Sequence, residues 1–203
     1  MFRALMVDVD GVLVRGRPQD AQHWSSSLEV DLGLSPMTLH ENFFAPYWSD
    51  VITGKQGLVE RLTPVLQMIA PHLSAQDLID YWFANDAQLD QALIADIDCQ
   101  RAKGVKVYLA TNQEHLRARY LIEELGLGQH CDGIYYSAAV GVQKPDRQFF
   151  ERVAVSSCLP RGELLLVDDL QENVRAARDA GWQAMHWTAG KSMAKALDDH
   201  EWK

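Results

Sequence analysis

The chain has 203 residues, too many for one small domain and too few for two full ones, so a single core carrying a modest insertion is expected. Its 19 basic and 28 acidic side chains leave a formal charge of -9, a field that repels nucleic-acid backbones and anionic membranes and argues against both as partners. A hydrophobic fraction of 47% with only 7 prolines excludes a disordered or fibrous chain, and Cys99, Cys131 and Cys158, odd in number and without a CxxC pair, signal neither a disulfide framework nor a zinc site.

In chain order, the apolar run from Ala4 to Val9 reads as a strand. It is far too short for a signal peptide or a membrane span, which together with the cysteine usage points to the cytoplasm. Val105 to Ala110, Ile134 to Tyr136, Leu164 to Val167 and Gln183 to Trp187 are four more short apolar runs. Between them lie helical patterns over about Leu89 to Lys103, His115 to Leu125, Arg147 to Ser157 and Glu172 to Ala180, with Gly104, Gly126 and Gly181 where helix stops belong. Alternation of this kind indicates an α/β domain built on a parallel sheet. The stretch from Arg15 to about Asp86 departs from it: no strand stands out, and helix-like segments are broken by Gly33, Pro36, Pro46, Gly54, Pro64 and Pro71. The expected organisation is an α/β core of residues 1–14 and 87–203, with a small all-helical cap, residues 15–86, inserted after the first strand. Such an insertion sits above the carboxyl ends of the strands, where open α/β sheets bind ligands.

Four short motifs carry candidate chemistry. Asp8 and Asp10, at alternate positions where the first strand ends, lean the same way; two close carboxylates repel unless one is protonated or a hard cation such as Mg²⁺ is held between them. The plainer reading is a polar strand end with Asp10-Gly11 as a turn. Thr111 ends the second strand, and Thr111-Asn112-Gln113-Glu114 has the spacing of a capping box, although a strand-to-helix junction also offers a hydroxyl and free N–H groups to a phosphate. Lys144 precedes Pro145 and a helix starting near Asp146, and by itself reads as a surface lysine. Asp168 and Asp169 end the most apolar strand, where Asp169 could cap a helix with Glu172 as its partner; capping accounts for only one of the two acids. All four motifs fall at or after a strand's carboxyl end, which a parallel sheet gathers on one edge, so four acids, one hydroxyl and one ammonium are expected in a single crevice.

In the order Asp-x-Asp, Thr, Lys, Asp-Asp the chain resembles the haloacid dehalogenase superfamily, over residues 1 to about 14 and about 90 to 190, and the insertion resembles that superfamily's C1-type cap. The resemblance implies a Rossmann-like, five-stranded parallel core sheet flanked by helices. Within the superfamily the chain looks most similar to small-cap sugar-phosphate phosphatases of the α-D-glucose-1-phosphate phosphatase type. Position by position, it implies that Asp8 attacks phosphorus to form an aspartyl-phosphate and that Asp10 protonates the leaving oxygen and then activates water. It further implies that Asp8, the backbone carbonyl of Asp10 and Asp169 bind Mg²⁺ with Asp168 in support, that Thr111 and Asn112 hold phosphoryl oxygens, and that Lys144 offsets the charge of nucleophile and phosphate. Asp10 disfavours dehalogenation, since the dehalogenating members lack a second aspartate and the metal. Val12 stands where threonine is commoner, and Asn173 where many members carry another acid; Asn173 could still bond a metal-bound water.

The insertion carries Trp24, Phe43, Phe44, Tyr47, Trp48, Tyr81, Trp82 and Phe83, expected mainly as its own core because a small helical unit must bury large side chains to hold together. The Thr53-Gly54-Lys55 turn is the expected loop facing the site; a Schiff base at Lys55 would allow carbon-phosphorus cleavage but ranks below ester hydrolysis. A lid this small favours a small phosphorylated substrate, a sugar phosphate ahead of a phosphoprotein. The protein is expected to act as a monomer or homodimer. A phosphomutase remains open, differing mainly in excluding water from the aspartyl-phosphate. A receiver domain, with its acid pair first and a lone phosphorylated aspartate in mid-chain, fits the order poorly, and a silent phosphate-binding module on the same scaffold is disfavoured because the expected nucleophile, acid/base, lysine and acid pair are all present.

Overall fold

Ala4–Val7 (β1) is buried at every residue, as a strand covered on both faces must be, and it takes the centre of a five-stranded sheet. The computed structural model describes residues 2–198. With β2 (Lys106–Thr111), β3 (Gly133–Tyr136), β4 (Leu164–Asp168) and β5 (Gln183–His186), the strand order is β3-β2-β1-β4-β5, and every neighbouring pair is parallel. The sheet is therefore the Rossmann-like, helix-flanked α/β sheet expected.

Side-chain alternation divides the core into two layers. Leu5, Val7, Val107, Leu109, Leu165 and Val167 face one side, against α6 (Gln91–Ala102), α7 (His115–Glu123) and α11 (Met193–Asp198). Ala4, Met6, Ala110, Leu164, Leu166 and Ala184 face the other, against α9 (Arg147–Ser157) and α10 (Gln171–Asp179). A short α8 (Ser137–Val140) follows β3. Among the described residues no helix is long and apolar enough to cross a membrane.

The segment between β1 and α6 is helical: α1 (Leu28–Leu32), α2 (Pro36–Leu39), a π-helical turn at His40–Phe44, α3 (Ala45–Ile52), α4 (Leu58–Ile69) and α5 (Ala75–Asn85). These helices bury Leu28, Phe43, Leu62, Leu66, Ile79 and Trp82 in a cluster of their own. Pro36 and Pro46 occupy first turns, where a missing N–H costs nothing. Pro64 does not break a helix as its position suggests; it lies inside α4 with its ring exposed, and burial of Leu58, Leu62, Val65 and Leu66 on the opposite face outweighs the lost hydrogen bond. The outgoing and returning chains run side by side, joined by Arg15 N–H to the Gln88 carbonyl at 2.9 Å, Gln88 N–H to the Gly16 carbonyl at 3.0 Å and an Arg15–Asp90 ion pair.

The register decides what comes level at the sheet's edge. Val7 pairs with Leu109 on one side and Val167 on the other, so the next residues along the three central strands are Asp8, Ala110 and Asp168. The chain moves outward from β1 through β2 and β3 and then returns to the other side of β1 as β4, which makes the β1/β4 boundary the sheet's switch point.

Candidate active site

Lys144 is the hub of that edge. Although it lies on the loop before α9, it is only 2% exposed: its Nζ donates to the Ala110 carbonyl at 2.8 Å and to Asp168 Oδ2 at 2.6 Å, and sits 3.0 Å from Asp8 Oδ2. The surface-lysine reading is therefore excluded. Asn112 delivers the loop, its amide donating to the Lys144 carbonyl at 2.9 Å while its Oδ1 accepts from the Lys144 N–H at 2.8 Å. Asp8 Oδ1 accepts from the Val9 N–H at 2.8 Å, so both nucleophile-side oxygens have a fixed direction.

Asp168 is fully buried, and its carboxylate accepts from Lys144, the Leu170 N–H at 2.9 Å and the Asn173 amide at 3.0 and 3.1 Å. Neither acid of the pair caps α10 as the letters suggest: Leu170 is the N-cap and offers no side-chain bond, while Asp168 takes up its N–H instead. Thr111 is likewise no helix cap. It is the last residue of β2, and Glu114 caps α7 through the Leu116 and Arg117 N–H groups, which frees the Thr111 hydroxyl to line the crevice.

Asp8, Asp10, Gly11, Thr111, Asn112, Asp169 and Asn173 surround a cavity of about 280 Å³. One carboxylate oxygen from each of Asp8, Asp168 and Asp169 lies within 4.8 Å of the others, an oxygen-only set suited to a hard divalent cation. Asn173 lines the same cavity, and its Oδ1 is buried without a hydrogen-bond partner, an orphaned acceptor beside the acid cluster. The side chain of Asp10 stands outside this cluster, on the open side of the crevice, where Gln113 Nε2 donates to its Oδ2 at 2.7 Å. Gly11, at φ +77°, lets the turn pass against Asp169; a Cβ there would overlap the carboxylate.

Four acids face one ammonium, and the titration of the group reflects it. Burial, with Asp168 and Asp10 nearby, lifts Asp8 to about 7 in spite of Lys144. Asp10 is raised by protein crowding around the crevice and by Asp86, against the pull of Arg117 and the Gln113 bond. Asp169 is raised by burial and then by Asp168. Burial pulls the Lys144 ammonium down, but Asp8 and Asp168 more than offset that and hold it above the ordinary lysine value.

Asp8, Asp10, Thr111, Asn112, Lys144, Asp168 and Asp169, the seven site residues singled out in the sequence, meet at this edge. Gln113, Asp86 and Arg117 were not singled out. Gln113 lies inside the run read as a capping box. Arg117 is 1% exposed between the Phe83 and Tyr120 rings, donates to the Phe83 and Asp86 carbonyls and pairs with the Asp86 carboxylate at 3.4 Å. An arginine buried by packing between two units leaves no trace in local pattern. The Thr53–Lys55 turn docks on the backbone of Ala138, and Lys55 lies exposed in an ion pair with Asp50 at 3.3 Å.

Fold and crevice together define a Rossmann-like α/β protein with an acidic, cation-ready site at its switch point. The chain belongs to the haloacid dehalogenase-like hydrolases, whose family pattern matches residues 2–181. Over 88 residues, 43% of this chain and 45% of the relative, it is 36% identical to a sesquiterpene phosphatase of Aspergillus oryzae, so it spans less than half of that protein's length. Over 185 residues, 88% of this chain and 77% of the relative, it is 24% identical to the plasmid phosphoglycolate phosphatase of Cupriavidus necator. The fold is similar to that of a haloacid dehalogenase family enzyme from Bacteroides thetaiotaomicron solved with magnesium and inorganic phosphate, with a TM-score of 0.80 at 15% identity, covering 97% of this chain and 100% of the other. The L-2-haloacid dehalogenase of Xanthobacter autotrophicus is similar at a TM-score of 0.64 and 17% identity, over 98% and 83% of the two chains.

Proposed function

We propose that this hydrolase is a magnesium-dependent phosphatase that cleaves a small phosphorylated metabolite through an aspartyl-phosphate on Asp8. The observation that carries the reading is Lys144 Nζ held between Asp8 and Asp168 beside the three-carboxylate cluster, with a separate, open acid, Asp10, directed by Gln113. Support also comes from the phosphatase names of both curated relatives and from the magnesium and phosphate bound in the Bacteroides structure.

Asp8, Asp169 and the backbone carbonyl of Asp10 would hold Mg²⁺, with Asp168 supporting. When bound, the ion supplies positive charge that lets acids and phosphate share the crevice. Asp8 attacks phosphorus and the ester P–O bond breaks, while Asp10 gives its proton to the departing oxygen. Asp10, now a base, takes a proton from the water that opens the aspartyl-phosphate, releasing inorganic phosphate and restoring both acids. Thr111 binds a phosphoryl oxygen through its hydroxyl. The Asn112 amide is committed to Lys144, so its share falls to its backbone N–H. Lys144 offsets the charge on Asp8 and the phosphoryl group. Residues 15–86 act as a lid over the core of residues 1–14 and 87–203, keeping bulk water from the leaving group. A monomer or homodimer in the cytoplasm suits the three free cysteines.

A sugar phosphate, expected from the small insertion, falls within this class. The two curated relatives are named for different phosphorylated compounds, so the walls of the cleft must choose the alcohol. The test is a panel of phosphate monoesters assayed with and without Mg²⁺ for wild type and Asp8→Asn. Release of phosphate that needs the metal and drops by about a thousandfold or more in the variant, with unchanged circular dichroism, is expected. Equal turnover by both proteins would sink the reading, and transfer to a second hydroxyl without phosphate release would make the protein a mutase.

A further inference from the structure

The crevice does not end at Asp10 and Gly11. Those two residues also line a cleft of about 480 Å³ walled by Trp24, Phe44, Trp48 and Trp82 of the insertion. Trp24, Phe44 and Trp48 continue along a further cavity of about 370 Å³ that reaches Pro36 and Leu39. The cleft adjoins the crevice at Asp10 and Gly11 and adjoins the further cavity at the same three rings, a passage that leads from the crevice toward the helical insertion.

We infer that this passage binds the alcohol portion of the substrate, and that the alcohol is apolar, aromatic or unsaturated rather than a polyol. The inference rests on the phosphatase reading of Asp8 and its neighbours and concerns what the phosphate is attached to. Its first support is the wall itself. Trp24 and Trp82 stack with ring centroids 5.1 Å apart at 23°, Phe44 lies edge-on to Trp48 at 5.2 Å and to Trp82 at 5.7 Å, and the four rings form a continuous surface. Core packing alone leaves Phe44 and Trp48 half-buried, with ring surface still to cover.

A second support is that most of the polar side chains along the passage already have partners within the protein. Arg15 is paired with Asp90, Asp86 with Arg117, Asp10 with Gln113, and Ser25 with His23 Nδ1 at 2.9 Å, while Gln22 and His40 lie exposed at its margins. A sugar buried against the rings would have to replace the water on several hydroxyls, whereas an apolar body has no hydrogen bonds to replace and covers the exposed rings. The walls thus favour an apolar alcohol over the sugar.

The test uses three esters of primary alcohols, matched in leaving-group chemistry: phenethyl phosphate, ethyl phosphate and glucose 6-phosphate, with Mg²⁺ and the full chain. Phenethyl phosphate is expected to exceed both others in kcat/KM by about tenfold or more. In Trp48→Ala its ratio to ethyl phosphate is expected to fall about tenfold, and Phe44→Leu, a smaller change, serves where Trp48→Ala does not fold. A preference for glucose 6-phosphate, or a phenethyl preference untouched by either variant, overturns the inference and leaves the phosphatase reading standing. If no ester is cleaved, the phosphatase reading is what fails. Phenethylphosphonate then replaces the ester, with tryptophan fluorescence as readout: binding tighter than ethylphosphonate and weakened by the variants upholds the passage, and equal binding of the two phosphonates overturns it.

Discussion

A lysine that is 2% exposed and bonded to two carboxylates sits where neither it nor its partners can be lost singly. Lys144→Met should cost about 3–5 kcal/mol in urea unfolding, because Asp8 and Asp168 would be left buried and uncompensated. The deficit should shrink as pH falls, since protonating Asp8 removes stranded charge; a deficit constant from pH 8 to pH 5 would contradict this. Gly11 makes the opposite kind of demand, for no side chain at all. Gly11→Ala strains a left-handed residue and drives a methyl into Asp169, so divalent-cation affinity should drop about 10- to 100-fold by calorimetry while the fold persists. At this scale the sequence showed which side chains gather at the crevice, because acids at strand ends are costly and conspicuous. It did not show Gln113, whose bond to Asp10 spans 103 positions and whose neighbours suggested a cap.

Strands and helices were legible where one local rule acted alone. Arg147–Ser157 follows its Asp146 cap, and β4 follows an unbroken apolar run, because cap and burial are both written within a few residues. The rules failed where two competed for one residue. Thr111 satisfies both strand and cap spacing, and pairing with Tyr136 of β3 drew it into the sheet, leaving Glu114 to cap α7. Pro64 reads as a breaker, yet the apolar face of α4 carries the helix through it. Pro64→Ala should therefore stabilise the protein by about 1–2 kcal/mol, the regained helix bond partly offset by a freer unfolded chain. A lower thermal midpoint for that variant would mean that the proline ring contributes packing of its own.

Across the whole molecule, the insertion is fastened at two places. Arg117 of α7 grips the Phe83 and Asp86 carbonyls where the insertion returns, and Ser137 donates to the Ile52 carbonyl at 2.6 Å while Gly54 lies against Ala138. The crevice beneath gathers acids whose charges oppose one another, and that ties stability to pH. Asp8 titrates at about 7 in the folded protein against 3.8 for an ordinary aspartate, so between those values the folded state holds the extra proton. The stabilising contribution is thus present below pH 4 and is lost as pH rises through 7, with Asp10 and Asp169 acting in the same direction. In chelator, the thermal midpoint should fall between pH 5 and pH 8, and the increment given by Mg²⁺ should grow over the same range as the cation replaces the proton. A midpoint that rises with pH in chelator would show that Lys144 dominates the group.

The sequence by itself determined the sheet's makeup, the helical character of the insertion and which charged side chains gather at the strand ends. Each of these follows from periodicity, turn residues or the cost of charge at a buried strand end, all properties of a short stretch of chain. Only the tertiary structure decided that Lys144 is buried, that Asp168 spends its oxygens on Lys144, Leu170 and Asn173, and that Trp24, Phe44, Trp48 and Trp82 wall a passage as well as filling a core. Those outcomes depend on which strands lie side by side and on how the insertion docks, and the contacts responsible join residues too distant in sequence for any local pattern to record.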